Sequence, residues 1–118
     1  MTTQVFRNVS PILAGYDSTI RIKFSQQAWD VLELGTGRLI SHFRSEIEDE
    51  EPLFVADSEA ESIMRDTNTV SIIIPGLTTK NWEVRAVYFD MARLDGTSKK
   101  AIPGIWRWPV RKRVTRDV

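Results

Sequence analysis

The chain contains no cysteine and a single histidine, His42. Disulfides are thereby excluded, and a zinc site lacks ligands, because no thiolate and no second imidazole can join that ring. Net charge is absent as well: 16 Lys and Arg balance 16 Asp and Glu. Bulk charge therefore does not draw the chain to DNA or to an anionic membrane. No apolar run approaches the roughly 18 residues of a membrane span. The opening MTTQVFRNVSPILAGYDS has no charged start followed by an apolar core, so no secretory signal is expected. No long segment has the 3.6-residue apolar period of an amphipathic helix, and there is no internal repeat.

What remains is a 118-residue chain, 42% hydrophobic and 27% charged, the composition of one soluble domain with one modest core. Residues 1–16 read as an extended N-terminal arm and 17–118 as a single β-domain. Period-two alternation predicts strands at Asp17–Ser25, Leu39–Ile47, Trp82–Met91 and Ile105–Val114, and β-branched runs predict two more at Leu53–Ala56 and Thr69–Ile74. The slip of the pattern near His42 suggests a bulge. Gln26–Asp30 reads as a turn or one helical turn, and Ser58–Met64 as a brief helix with Ser58 capping and Glu61 at the third position. Gly35-Thr36-Gly37, Pro75-Gly76, Asp95-Gly96 and Pro103-Gly104 punctuate the strands. Six or seven short strands without a long helix predict an all-β fold, a sandwich or barrel.

The last strand, IWRWPVRKRV, places Trp106, Trp108 and Val110 on one face and Arg107, Arg111 and Arg113 on the other. That is strand periodicity with buried indoles. A nucleic-acid stacking platform needs aromatics and cations on one exposed face. Pro109 cannot donate to a ladder, which predicts an edge strand or a bulge there. Charge is segregated along the chain. Residues 46–61 hold eight acidic groups and no basic one, whereas seven basic groups and one acid follow from Lys99 onward. The bland interpretation is two solvated faces; the sharper one is a head-to-tail contact between subunits through complementary patches.

Catalytic patterns are absent. Glu46, Glu48, Asp49, Glu50 and Glu51 lack the glycine and spacing of an EF-hand loop. Ser41 and His42 are adjacent, so on a strand they face opposite ways and make a poor nucleophile–base couple. No lysine follows Gly35-Thr36-Gly37 at phosphate-loop spacing. A carboxylate pair placed by the fold is not readable from sequence, and no enzyme activity and no cofactor are expected.

Three segments carry a family resemblance. GYDSTIRIKF resembles the opening strand of small Ig-like domains in tailed-phage virion proteins. VYFDMARLDGTSKKAIPGIWRWPVRKRVTR resembles their ending, through Tyr88, Asp90, Asp95, Gly96, Gly104, Val114, Thr115 and Arg116. WDVLELGTGRLISHFR is similar to the segment between. The chain thus resembles the N-terminal domain of phage baseplate upper proteins over about residues 15–116. The acidic stretch 46–61 and Trp106-Arg107-Trp108-Pro109 depart from that pattern. The resemblance implies an Ig-like antiparallel β-sandwich of six to seven strands with an extended N-terminal arm. It also implies a structural component of a virion, at the tail, baseplate, neck or capsid surface, made in the host cytoplasm.

Its expected partners are other virion proteins, in a homo-oligomer or a symmetric hetero-assembly, with no membrane and no nucleic acid. The expected contacts are the arm (Phe6, Ile12, Leu13), the acidic loop (Glu48, Asp49, Glu50, Glu51) and the basic face of the last strand (Arg107, Arg111, Arg113, Arg116). The alternative is a carbohydrate- or nucleic-acid-binding module using exposed Trp82, Trp106 or Trp108.

Overall fold

The computed structural model describes residues 3–5 and 10–112. Within them, alternation builds two sheets. In Ser18–Lys23 (β3), Ile20 and Ile22 are buried while Thr19, Arg21 and Lys23 are exposed. Thr69–Ile74 (β7) buries Val70, Ile72 and Ile74 and pairs antiparallel with β3 along its whole length. Ile63–Asp66 (β6) closes the smaller sheet, in the order β3-β7-β6.

The larger sheet is built from Thr3–Val5 (β1), Arg38–Arg44 (β4), Phe54–Asp57 (β5), Ala86–Asp95 (β8) and Ser98–Arg111 (β9), in the order β1-β9-β8-β4-β5. Ile12–Leu13 (β2) also pairs with β9. The long β8–β9 hairpin turns at Gly96-Thr97, between paired Asp95 and Ser98. Gly96 takes φ +60°, the left-handed region that a tight hairpin needs and that glycine adopts without a Cβ clash.

Two short helices punctuate the strands. Gln26–Val31 (α1) starts where Ser25 Oγ accepts a hydrogen bond from the Ala28 N–H at 3.1 Å, an N-cap that converts the expected turn into a helix. Gly76–Thr79 (α2) follows Pro75. Gly76 is sterically obligatory there: a Cβ would stand 2.6 Å from the carbonyl oxygen of Gly15. Its N–H donates to Asp17 Oδ1 at 2.8 Å, and Thr79 Oγ1 accepts from the Gly15 N–H at 2.9 Å. The start of β3 is thus pinned to α2.

The core lies between the sheets. Phe43 and Phe89 stack at 4.5 Å between ring centroids, Trp106 stacks on Phe89 at 5.5 Å, and Trp108 tilts against Phe89 at 6.1 Å. Each such aromatic pair contributes about 0.5–1.5 kcal/mol beyond area burial. Trp108 Nε1 donates to the Ser10 carbonyl at 3.0 Å, which fixes that ring.

This is not the all-β, Ig-like antiparallel sandwich expected from the sequence. It is a mixed α/β fold with two helices and two sheets, the larger curled into a half-barrel. The physical cause lies in the arm. β1 and β2 both pair parallel with β9 of their own chain, so β9 is an interior strand with neighbours on both sides. The Pro109 prediction of an edge fails accordingly. β1 ends opposite Arg107 and β2 begins opposite Val110, so the residue without an N–H falls between the two short ladders.

The irregularity expected near His42 sits elsewhere. Burial alternates without a break through β4. The register slips on β9, where the three residues between Ile102 and Trp106 oppose the single Asp90 between Phe89 and Met91. Ser58–Met64 is also not one helix. A 3₁₀ turn at Ser58–Ala60 ends at Glu61 in the left-handed region (φ 64°), and Ile63 enters β6. Trp82–Arg85 precedes β8 instead of belonging to it, and β9 begins at Ser98, well before Ile105.

Candidate docking cleft and charged faces

Between the open edge of β3, α1 and β9 lies a cleft of about 420 Å³. β2 contacts β3 near one end of this seam. Ile22, Phe24 and Leu32 line one wall, and Ile102, Trp106 and Trp108 line the other. Arg21 and Lys23 alternate outward from buried Ile20 and Ile22, and both reach the cleft as exposed cations. Neither makes an ion pair with another described residue. The cleft is apolar inside and cationic at its mouth, with the volume of a small-molecule or peptide side-chain site.

The outward face of the larger sheet is the second unusual surface. Inward positions of β4, β8 and β9 are buried. Outward positions include Ile40, Tyr88, Ala92, Leu94 and Ile105, all only half-buried. Ile40 pairs with Ala92, which puts the two side by side on that face. Val55 on β5, opposite His42, is 43% exposed. The antiparallel part of a sheet that faces water ordinarily carries polar residues there; this one mixes aliphatics with Arg38, His42, Arg44, Asp90 and Arg107.

The acidic loop between β4 and β5 is ordered by one of its own acids. Asp49 Oδ2 accepts from Ser45 Oγ at 2.5 Å and from the Glu46 N–H at 3.1 Å, while its carbonyl accepts from Arg44 Nε at 2.8 Å. Asp49 therefore serves the turn, and Glu48, Glu50 and Glu51 project into solvent. Ile47 among them is 48% exposed.

The other expected contact residues scatter. Ile12 is 1% exposed and belongs to the core, and Leu13 beside it is half-buried in β2. Arg111 is exposed at the end of β9. Arg107 lies in register with Tyr88, and Tyr88 with Arg44, at the end of the sheet where the acidic loop begins. Acid and base thus share one end of the sheet, and two segregated poles do not form. Lys112 is engaged with Glu83 at 2.6 Å. Phe6, Arg113 and Arg116 lie outside the described residues.

Two arginine-centred arrangements shift proton affinities. Arg38 donates to both carboxylate oxygens of Asp57, from Nε at 3.0 Å and from Nη2 at 2.5 Å. That fork, with the Glu59 N–H, holds the Asp57 carboxyl below the usual carboxylate range and raises Arg38. Across the molecule, Arg93 and Arg65 grip the Glu33–Gly37 turn by its carbonyls. Arg93 Nε reaches Glu33 O at 2.8 Å and Thr36 O at 2.9 Å; Arg65 Nε reaches Leu34 O at 2.6 Å, and its Nη2 reaches Gly37 O. Burial, and then the neighbouring Arg93 charge, push Arg65 down.

No protein-family model and no curated protein matches the chain. Ser41 and His42 likewise do not form a couple. His42 meets Arg44 through Nδ1 at 3.3 Å, Ser41 Oγ donates to the Asp90 carbonyl at 2.6 Å, and the two side chains face opposite sides of β4. Among the described residues, no group of three His, Asp or Glu side chains is placed to hold a metal ion, and no helix is long and apolar enough to cross a membrane. Sequence reasoning missed the cleft, because its walls come from segments some eighty residues apart. The alternation that exposes Arg21 and Lys23 was its one legible signal.

Proposed function

We propose that the chain is a structural subunit that acts by docking on neighbouring proteins, without turnover. Its resemblance to tailed-phage virion domains makes a phage particle the assembly of choice: tail, baseplate, neck or capsid surface. One observation carries the docking reading. The outward face of the larger sheet presents Ile40, Ala92, Leu94 and Ile105, with exposed Val55 on β5, and Ile47 of the acidic loop lies against its Tyr88 and Ile105 end. Arg38, His42 and Asp90 stand among these aliphatics on the same face, and apolar surface interspersed with polar groups in this way suits a docking interface. Arg44, Arg107 and the free carboxylates of the acidic loop supply the rim.

The alternative, a carbohydrate- or nucleic-acid-binding module, needs indole faces open to solvent. Trp82, Trp106 and Trp108 are only 7%, 3% and 6% exposed, which leaves that module without its stacking surface.

The test is co-sedimentation of the full chain with purified virion proteins. Leu94→Lys and Ile105→Asp place charges on the outward face without touching the core. Each is expected to weaken binding by about tenfold or more, as loss of a central apolar contact does. Binding to no virion protein, or binding that both variants leave unchanged, would overturn the proposal.

A further inference from the structure

The cleft at the β3–β9 seam and the acidic loop are complementary, and they lie on opposite faces of the larger sheet. The cleft is apolar, with Trp106 and Trp108 in its wall, and Arg21 and Lys23, without an ion pair among the described residues, stand at its mouth. The loop offers an apolar side chain and the opposite sign: Ile47 rests beside Tyr88 and Ile105 of its own sheet, is still 48% exposed, and stands among the solvent-exposed Glu46, Glu48, Glu50 and Glu51. Asp49, bonded within the turn, holds that frame in one conformation, which lowers the ordering cost of docking.

A chain cannot fill its own cleft. Ile47 lies against His42, Tyr88 and Ile105 on the outward face of the larger sheet, whereas Ile102, Trp106 and Trp108 of the cleft point to its inward face. We infer that the occupant is a second copy of this chain, whose acidic loop enters the cleft with Ile47 against the half-buried Phe24 and Leu32 and its glutamates against Arg21 and Lys23. This rests on the docking reading above and names one partner for it. Donor and acceptor surfaces differ, so the contact is heterologous. Repeated, it generates a ring if the rotation closes and a filament if it does not. Charge pairs at the rim of such a contact steer association and weaken with salt.

Charge reversal tests this with full-length chains. One variant carries Arg21→Glu and Lys23→Glu; the other carries Glu48→Lys, Glu50→Lys and Glu51→Lys. All five side chains are solvent-exposed, and near-UV circular dichroism checks that each variant keeps its packed indoles. In each variant, cleft and loop bear the same sign; in a mixture of the two, both contacts are complementary again.

The expected result is concentration-dependent assembly of the wild type at low salt, monomers for each variant alone, and renewed assembly on mixing. A zero-length carbodiimide cross-linker should then join Lys23 of one wild-type chain to Glu48, Glu50 or Glu51 of another, read by mass spectrometry on a mixture of isotopically light and heavy chains. A wild type that stays monomeric at its highest soluble concentration would overturn the self-docking inference and leave docking on other virion proteins standing. Wild-type assembly that both variants share would overturn it as well, since a different surface would then hold the copies together.

Discussion

Replacing Arg93 by Met should cost the domain a large part of its stability. The Arg93 side chain is 5% exposed. It donates from Nε to the Glu33 and Thr36 carbonyls at 2.8 and 2.9 Å and from Nη2 to Thr36 Oγ1 at 2.9 Å, with Glu33 and Asp95 carboxylates at 3.6 and 3.5 Å. Met fills much of the volume but donates nothing. A hydrogen bond from a charged donor contributes about 1.5–3 kcal/mol. Three such bonds set a ceiling well above the net cost, for three reasons. Thr36 O keeps its bond from Arg65 Nη2 at 3.1 Å, the turn can recruit water, and Arg65 is relieved of a like charge.

A loss of about 2–4 kcal/mol remains, close to that of breaking a buried ion pair. For a domain of this size that lowers the melting temperature by on the order of 10–15 °C. Thermal and urea unfolding followed by circular dichroism measure it. Hydrogen exchange should show the amides of residues 33–37 losing protection before those of β7. Arg93→Lys should lose most of the same amount, because a point charge cannot fork to two carbonyls. A loss below about 1 kcal/mol would refute the assignment of Arg93 as the anchor of that turn.

Three further outcomes follow from the same geometry. Gly76→Ala places a Cβ 2.6 Å from the Gly15 carbonyl oxygen, so backbone must shift, and urea unfolding should register a loss of about 1–3 kcal/mol. Ser25→Ala removes the acceptor for the Ala28 N–H and should cost about 1 kcal/mol, with local exchange confined to α1. The Asp57 carboxyl is held low by Arg38, so its pairing contributes stability that is present above the unfolded carboxylate pKa, near 4, and is lost as pH falls through the lower folded value. Asp57→Asn should therefore be less stable than wild type at pH 7, and the gap should close in urea titrations run progressively below about pH 4.

Local pattern carried much of the strand content. Ser18–Lys23 and Thr69–Ile74 are legible because Ile20, Ile22, Val70, Ile72 and Ile74 repeat every second residue and each strand has one buried face. Asp95-Gly96 announced its hairpin for the same local reason. The topology was not legible. That β1 and β2 would lie parallel on β9 depends on residues about a hundred positions apart, and nothing in the arm's own pattern distinguishes that edge from a neighbour's. The brief helix expected at Ser58–Met64 lost to a tertiary bond pair: Asp57 and Ser62 bridge each other, from Asp57 N–H to Ser62 Oγ at 2.8 Å and from Ser62 N–H to Asp57 O at 3.2 Å, which turns the chain back into β6.

Of the expected contact residues, Glu48, Glu50 and Glu51 are free on the surface, while Ile12 and Asp49 have structural tasks. Alternation alone had already placed Trp106 and Trp108 inward. It could not reveal that they would wall a cleft whose mouth is set by Arg21 and Lys23.

The most direct test of the docking account is the mass of the full chain by light scattering at low and high salt, alone and mixed with purified virion proteins. The account predicts complexes of defined stoichiometry that shift toward free chains as salt rises, because charged rims around the apolar face are screened. A chain that remains a monomer at every salt concentration and with every virion protein offered would contradict it.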